Sequence, residues 1–243
     1  MARKRLDVLL VERGLIESRA RARAAIEAGR VRVDGGVARK PGALAEEGAD
    51  IVAEPAHPWV SRSALKLAHA LELWPIQIAG RTVLDVGAST GGFTELCLSR
   101  GAARVFAVDV GRGQLHAKLR DDPRLANLEG TDARSLGPAL IPEAPQLIVC
   151  DASFIGLAKV LPAALELAAP GADLVALVKP QFEVGPGRVG KGGVVRDAAA
   201  QAEALAAAQA FVEARGWKVQ ATSESPILGG DGNREFLLWA RKP

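Results

Sequence analysis

The chain has 243 residues, 49% of them apolar, and carries 31 Lys and Arg against 28 Asp and Glu. Its longest charge-free stretches, Val86–Thr94 and Ala204–Val212, have nine residues each, whereas a membrane-spanning helix needs roughly 18 apolar residues. Asp7 and Glu12 interrupt the first apolar run, so no secretory signal peptide is expected and the expected location is the cytoplasm. Two isolated cysteines and three histidines predict neither a disulfide framework nor a metal site.

Positive charge is concentrated at the start of the chain. Residues 1–40 contain 11 Lys and Arg against 5 Asp and Glu, whereas the remaining residues contain 20 against 23. Such a surplus in one small module favours a polyanionic partner, and the alternative is an ordinary solvated surface.

The first predicted elements are two short helices. Leu6–Leu10 has leucines at helical spacing, and Gly14 ends that segment. Ser18 is a suitable N-cap for a second helix that ends near Ala28.

The second helix is predicted to be amphipathic. Arg19 and Arg23 are four residues apart and share one face, while Ala22, Ala25 and Ile26 lie on the other. One side of this helix is therefore expected to pack and the other to be cationic.

Small strands should follow the helices. Residues 30–34 alternate as a strand, Asp34-Gly35-Gly36 is a hairpin turn signal, and Ile51-Val52 closes a second short strand. Together, the segments 5–10, 18–22 and 26–35 resemble the S4 domain, a small RNA-binding module. The resemblance implies contacts to the RNA backbone and folded shape by these residues of the chain: Arg3, Lys4, Arg5, Ser18, Arg19, Arg23 and Arg62.

The domain boundaries follow from composition. Residues 1–54 form the S4-like domain, residues 55–61, with two prolines, form a stiff linker, and residues 62–243 form a second domain. Ser61 is expected to cap a helix that extends to about Leu73 and carries Lys66. Strands are then predicted at residues 82–86, 105–110, 147–151, 173–178, 218–225 and 235–241, and helices near 92–100, 113–120, 157–169 and 198–214. This alternation predicts an α/β fold, a Rossmann-like, mostly parallel sheet with helices on both faces.

A glycine-rich turn lies between the first strand of the second domain and its helix. Ser89 stands where the dinucleotide fingerprint needs its second glycine, and a carboxylate at Asp85 disfavours a pyrophosphate. Asp109 lies at the end of the next strand and Asp132 in the loop segment that follows it, and these further carboxylates favour S-adenosylmethionine as the ligand. The cofactor-binding residues predicted on this basis are Asp85, Gly87, Ser89, Thr90, Gly91, Gly92, Phe93, Asp109, Asp132 and Ala133.

Four further charged residues are candidates for catalysis. Asp151 and Lys179 end apolar strands, where an unpaired charge is uncommon, while Lys66 lies on the preceding helix and Glu235 begins the last strand. Together they resemble the Lys-Asp-Lys-Glu tetrad of the FtsJ-like ribose 2′-O-methyltransferases.

Six sequence blocks carry a closer resemblance, to the TlyA family, whose members are named both haemolysins and rRNA methyltransferases. These blocks are residues 60–62, 85–94, 151–154, 179–183, 190–197 and 232–236. The resemblance implies S-adenosylmethionine-dependent 2′-O-methylation of rRNA. The end of the chain at Pro243 matches the shorter members of the family, which implies a cytidine of 23S rRNA, in a large-subunit helix that meets the small subunit.

Three functions stay open at this point. The first is a methyltransferase, which has to hold the hydroxyl in line with the sulfonium methyl. In it, Lys179 would act as the base or as a cation beside the developing alkoxide, and no metal would be required. Alternatives are a non-catalytic RNA-binding or ribosome-assembly factor and a membrane-lytic protein. Intact tetrad residues argue against the second function, and the lack of a spanning segment argues against the third.

Overall fold

The computed structural model describes residues 2–243. The chain divides into two compact units, the first ending at Pro58 and the second comprising Trp59–Pro243. Among the described residues, no helix combines the length and the apolar character that crossing a bilayer requires.

The first unit combines short helices with three-residue strands. Its helices are α1 (Leu6–Glu12) and α2 (Arg19–Glu27), and its strands are β1 (Arg3–Arg5), β2 (Val31–Val33), β3 (Gly36–Ala38), β4 (Leu44–Glu46) and β5 (Ile51–Ala53). All pairs are antiparallel: β1 pairs with β4, and β2 pairs with both β3 and β5. The pairing of β1 with β4 is a feature that the sequence did not predict.

Local sequence explains these elements. Ser18 Oγ accepts a hydrogen bond from Arg21 N and caps α2, as predicted. Asp34 and Gly35 connect β2 to β3 with φ of 48° and 79°, so the hairpin predicted at residues 34–36 is confirmed, and Gly36 is the first residue of β3. The apolar face of α2 lies in the core of this unit, where Ile26 is fully buried.

The second unit is built on one sheet. Its strands are β6 (Thr82–Val86), β7 (Arg104–Asp109), β8 (Leu125–Glu129), β9 (Leu147–Cys150), β10 (Asp173–Val178), β11 (Lys218–Glu224) and β12 (Phe236–Arg241). Within the described residues they run in the order β11-β12-β10-β9-β6-β7-β8. Strands β6 to β10 pair in parallel, whereas β12 is antiparallel to β10 and β11. The predicted mostly parallel α/β sheet is therefore confirmed.

Helices cover both faces of this sheet. They are α3 (Ala64–Leu73), α4 (Gly92–Ser99), α5 (Ala117–Arg120), α6 (Leu157–Val160), α7 (Pro162–Leu167), α8 (Pro180–Glu183) and α9 (Ala198–Ala214). Alternate strand residues enter different core layers: Val83 packs in the layer that contains α3 and α4, and Leu84 in the layer that contains α6, α7 and α9. The parallel strands end at one edge, where the loops of the site begin.

Three predicted helices differ from the structure. Helix α3 begins two residues later than expected, with Ser63 at its N-cap, so the prediction that Ser61 caps it is wrong. Instead, Ser61 Oγ accepts hydrogen bonds from the backbone and the hydroxyl of Ser63. The predicted helix at 157–169 splits into α6 and α7 at Pro162, which has no N–H to continue a helix.

The helix predicted at 113–120 is shortened for a different reason. Glu129 Oε1 accepts hydrogen bonds from the backbone N of Gln114 and Leu115. These bonds hold the first half of the segment in a loop, so α5 spans only its last turn.

Candidate active site

Two adjoining cavities open at the carboxyl edge of the parallel strands. The lysine cavity has a volume of about 300 Å³ and is lined by the four predicted tetrad residues. The aspartate cavity, of about 550 Å³, is lined by Asp109 and Asp132. Both cavities share a wall formed by Gly87, Ser89, Asp151, Ser153 and Phe154.

The four tetrad residues converge from distant parts of the chain. Lys66 lies on α3, Asp151 follows β9, Lys179 follows β10, and Glu235 precedes β12. Lys66 Nζ lies 3.3 Å from each carboxylate oxygen of Asp151 and 2.7 Å from Glu235 Oε2. Lys179 Nζ lies 2.8 Å from Asp151 Oδ1. One carboxylate, that of Asp151, therefore joins both lysines.

Burial makes this arrangement electrostatically significant. Lys66, Lys179 and Glu235 are only 6%, 5% and 3% exposed. Charges at such depth are costly unless they are paired and hydrogen-bonded. Two cations and two carboxylates here offset one another, and a substrate group entering the cavity meets a preorganised polar network.

Lys179 has two further acceptors. Its Nζ donates to the carbonyl oxygen of Asp151 and to Ser153 Oγ, both at 2.9 Å. With the Asp151 carboxylate, these groups match the three N–H donors of an ammonium. Sequence reasoning did not assign Ser153 a role, although it lies inside the 151–154 block.

The aspartate cavity is organised by Asp109 at the end of β7. Its Oδ2 accepts from Ser89 N at 2.8 Å, and its Oδ1 accepts from Gly111 N at 2.7 Å. Each carboxylate oxygen has a second lone-pair site for a ligand hydroxyl. On the next loop, hydrogen bonds from Arg134 lower the pKa of Asp132, and Ala133 lines the same cavity.

The glycine-rich turn links the two cavities. Gly87 has φ of +82°, and a Cβ there would lie 2.7 Å from Ala152 Cα, so only glycine fits. Gly91, at the N-cap of α4, has φ of +93°, and a Cβ there would clash with the side chain of Leu119. Gly91 thus serves helix packing rather than a cavity wall.

The predicted cofactor-binding residues differ in which cavity they line. Gly87 and Ser89 line both cavities, and Phe93 lines the lysine cavity. Four of the predicted residues line neither cavity: Asp85, Thr90, Gly91 and Gly92.

Asp85 is fully buried beneath this turn. Its Oδ2 accepts a hydrogen bond of 2.6 Å from Thr94 Oγ1, while its Oδ1 has no hydrogen-bond partner among the described residues. Burial raises the pKa of Asp85 to about 7. The hydrogen bonds from Thr94 favour the ionised form but do not offset the desolvation of this buried carboxylate.

Phe154 is an exposed aromatic residue at the shared wall. It is 91% exposed, has φ of +66°, and packs against Phe182 with ring centroids 5.4 Å apart. Positive φ is uncommon for a bulky residue, and such strain concentrates at functional sites. Nothing in the sequence signalled this exposure.

Basic residues in the first unit are of two kinds. Arg3, Arg5, Arg19 and Arg23 are exposed. Lys4 is half-buried and pairs with Glu12 and Glu47, while the exposed Arg5 and Arg19 pair with Asp7. Ser18, also predicted to contact RNA, caps α2. In the second unit, Arg62 is exposed just before α3.

Comparison with known proteins identifies both units. Residues 59–242 match the FtsJ-like methyltransferase family, and residues 4–51 match the S4 domain. The chain is 50% identical to a Mycobacterium tuberculosis protein named 16S/23S rRNA (cytidine-2′-O)-methyltransferase TlyA, over 99% of this chain and 91% of the relative. The chain belongs to the TlyA family of FtsJ-like methyltransferases.

Other members differ in how they are named. A Campylobacter jejuni TlyA named 23S rRNA (cytidine-2′-O)-methyltransferase is 38% identical over 74% of this chain and 70% of its own length. A solved structure of a suspected hemolysin from Streptococcus thermophilus superposes with a TM-score of 0.78 and 39% identity, covering 100% of this chain and 89% of that one. The TlyA-family resemblance seen in the sequence is thereby confirmed.

Proposed function

We propose that this TlyA-family chain is an S-adenosylmethionine-dependent methyltransferase that modifies the ribose 2′-hydroxyl of a cytidine in 23S rRNA. The observation that carries the proposal is the convergence of Lys66, Asp151, Lys179 and Glu235 in a cavity that adjoins the aspartate cavity. Both named TlyA relatives are rRNA cytidine-2′-O-methyltransferases, and 23S rRNA is the substrate common to their names. For this reason we favour the large subunit.

The aspartate cavity fits the adenosine part of S-adenosylmethionine. Asp109, Asp132 and Ala133 line this cavity; we assign the ribose hydroxyls to Asp109 and the adenine to Asp132 and Ala133. Asp85 lines neither cavity, but its carboxylate lies beneath the glycine-rich turn and would attract a cationic amino group bound over that turn without direct contact. When bound, S-adenosylmethionine supplies a methyl group activated by a sulfonium.

The residues of the lysine cavity activate the nucleophile, the ribose 2′-hydroxyl. A ribose hydroxyl is a weak nucleophile and needs both alignment and help in losing its proton. The Asp151 carboxylate, the Asp151 carbonyl oxygen and Ser153 hold Lys179 Nζ in the cavity, so we assign to Lys179 the stabilisation of the developing alkoxide. The Asp151 carboxylate orients both lysines, and Glu235 holds Lys66. As the hydroxyl oxygen bonds to the methyl carbon, the C–S bond of the sulfonium would break, and the hydroxyl proton would pass to the Asp151 carboxylate in the cavity.

The shared wall between the cavities suits the target base. Phe154 presents an open aromatic face beside Asp151. Base stacking on aromatic side chains stabilises unstacked nucleotides. A cytidine within a helix has to leave its stack before its ribose reaches the lysine cavity, and Phe154 offers a surface that receives it.

The S4 unit supplies affinity for folded RNA. Exposed arginines on α2 can contact phosphates without reading sequence. Selection of the cytidine then depends on the RNA shape recognised by this unit together with the chemistry of the tetrad.

A methyl-transfer assay tests the proposal. Purified protein, radiolabelled S-adenosylmethionine and unmodified 23S rRNA or 50S particles are incubated, and the RNA is digested to nucleosides. The expected product is 2′-O-methylcytidine, with none formed by an Asp151→Asn variant. RNA binding without any transferred methyl would instead support a non-catalytic RNA-binding factor.

A further inference from the structure

Asp7 is a buried acidic residue on the most basic part of the chain. Its side chain has no exposed area. Arg5 Nε donates to its Oδ1 and Arg5 Nη2 to its Oδ2, both at 3.0 Å, and Arg19 Nη2 donates to Oδ2 at 3.0 Å. These hydrogen bonds, those from Arg5 first, lower the pKa of Asp7 to about 2. One carboxylate therefore gathers two guanidinium groups from β1 and α2.

Both guanidinium groups still face solvent. The side chains of Arg5 and Arg19 are 50% and 58% exposed. The Arg5 guanidinium also lies against the backbone of Gly42, where a Cβ would be 3.3 Å from Nη1. Arg5 is thus fixed from two sides, and N–H groups remain on both arginines that Asp7 does not use, because each guanidinium carries five.

The neighbouring basic residues Lys4 and Arg13 form hydrogen bonds of a different kind from those of Arg5 and Arg19. Lys4 is paired with Glu12 and Glu47, and Arg13 donates to the carbonyl oxygens of Glu47 and Ala49. Their hydrogen-bonding capacity serves the fold of the unit. By contrast, the bonds to Asp7 orient Arg5 and Arg19 while leaving their outer edges free.

We propose that Asp7 is a positioning residue that holds Arg5 and Arg19 side by side as a two-arginine site for a phosphate of the RNA backbone. Paired, planar guanidinium groups match the geometry of phosphate oxygens. Fixing two long side chains before binding removes the entropy cost of ordering them in the complex. The identity of the ligand as RNA rests on the proposed function.

The test uses a substitution for which simple electrostatics and the proposal predict opposite changes in RNA affinity. Removing a negative charge from a basic surface should tighten RNA binding, whereas the proposal predicts that Asp7→Asn weakens it by about tenfold, since two ordered side chains are released. Binding of the full-length chain to 23S rRNA is measured by filter retention. The matched control is Glu12→Gln, an exposed carboxylate paired with Lys4, which should leave affinity unchanged or raise it.

A second variant covers the case in which Asp7→Asn unfolds the unit, as judged by circular dichroism. Arg5→Lys combined with Arg19→Lys keeps both charges but removes the planar forks, and we expect a similar loss of affinity. Unchanged or tighter binding by a folded Asp7→Asn chain, parent-like binding by the double lysine variant, or a parent that does not bind 23S rRNA would each overturn the proposal. A parent that binds this RNA but transfers no methyl refutes the proposed activity and leaves the site standing.

Discussion

At the scale of single residues, Asp151 determines the geometry of the candidate site. It contacts both lysines of the tetrad and lines both cavities. Its position was predictable, because a charged residue that ends an apolar strand must find a partner at the sheet edge. The pairing of Asp151 with both lysines was not predictable, because the sequence left open which lysine is the cation. It also did not indicate that Ser153 contacts Lys179. In the structure, Asp151 pairs with both lysines, and Lys179 also donates to Ser153 and to the carbonyl oxygen of Asp151.

The first prediction separates chemistry from cofactor binding. Lys179→Ala should lower methyl transfer by at least about a hundredfold, because a group acting on the proton or the alkoxide is removed. S-adenosylmethionine affinity, measured by calorimetry, should be nearly unchanged, since Lys179 does not line the aspartate cavity. Asp109→Ala is the matched control and should weaken cofactor binding about tenfold or more. Loss of cofactor binding by Lys179→Ala would make Lys179 a cofactor residue.

A second prediction concerns pH and Asp85. Its pKa of about 7 exceeds the value near 3.9 expected in an unfolded chain, so its contribution to folding stability is complete below about pH 4 and is lost as the pH rises through 7. A cationic amino group placed beside the carboxylate favours ionisation. Cofactor affinity measured by calorimetry should therefore increase between about pH 5.5 and pH 7.5, and Asp85→Asn should flatten that increase. A parent chain with constant affinity across this range would exclude Asp85 from the cofactor site.

At the scale of elements, the regular strands and the amphipathic helices follow from periodicity, and the exceptions have local causes. Strand β1 is entirely basic, and its partner β4 is distant in the chain, so no pattern announced the pair. Residues 113–116 have helical character in sequence, but Glu129 holds part of that segment as a loop. Phe154 has an exposed ring and a left-handed backbone, neither of which a residue type reveals.

One loop contact gives an element-scale prediction. Asn233 is 1% exposed; its Oδ1 accepts from Val195 N, and its Nδ2 donates to the carbonyl oxygen of Gly193. It thereby ties the 193–195 segment to the loop that carries Glu235. Asn233→Ala leaves these backbone groups unpaired and should lower the free energy of unfolding by about 1–3 kcal/mol.

The same substitution should reduce kcat about tenfold or more, because catalytic geometry tolerates little displacement, while cofactor affinity stays near that of the parent. Chemical denaturation and steady-state kinetics check both effects. Gln220→Ala, exposed on β11, is the control and should change neither. A kcat equal to that of the parent would show that this loop does not position Glu235.

At the scale of the whole molecule, the chain joins a basic RNA-binding unit to a methyltransferase unit, and the uneven charge of the sequence anticipated this division of labour. The family resemblance identified the reaction class, because its motif blocks are spread along the chain. The rRNA nucleotide depends on the shape of a large RNA that one protein sequence does not contain.

Salt dependence tests the role of the first unit. Arg19→Ala with Arg23→Ala should weaken RNA binding and flatten its dependence on salt concentration, because each phosphate contact releases counterions. Cofactor affinity should remain that of the parent. Binding curves recorded at several salt concentrations provide the slope, and an unchanged slope would mean that this face of α2 is only solvated.

The central claim is methylation of a 23S rRNA cytidine on its ribose. The most direct measurement incubates the purified chain and S-adenosylmethionine with isolated 50S, 30S and 70S particles and maps each new 2′-O-methyl group by sequence position. We predict a new methyl on a cytidine of 23S rRNA in the 50S particle, with little reaction in 70S particles, where the small subunit covers the interface. Methyl groups confined to 16S rRNA or tRNA, or attached to a base instead of a ribose, would contradict the account.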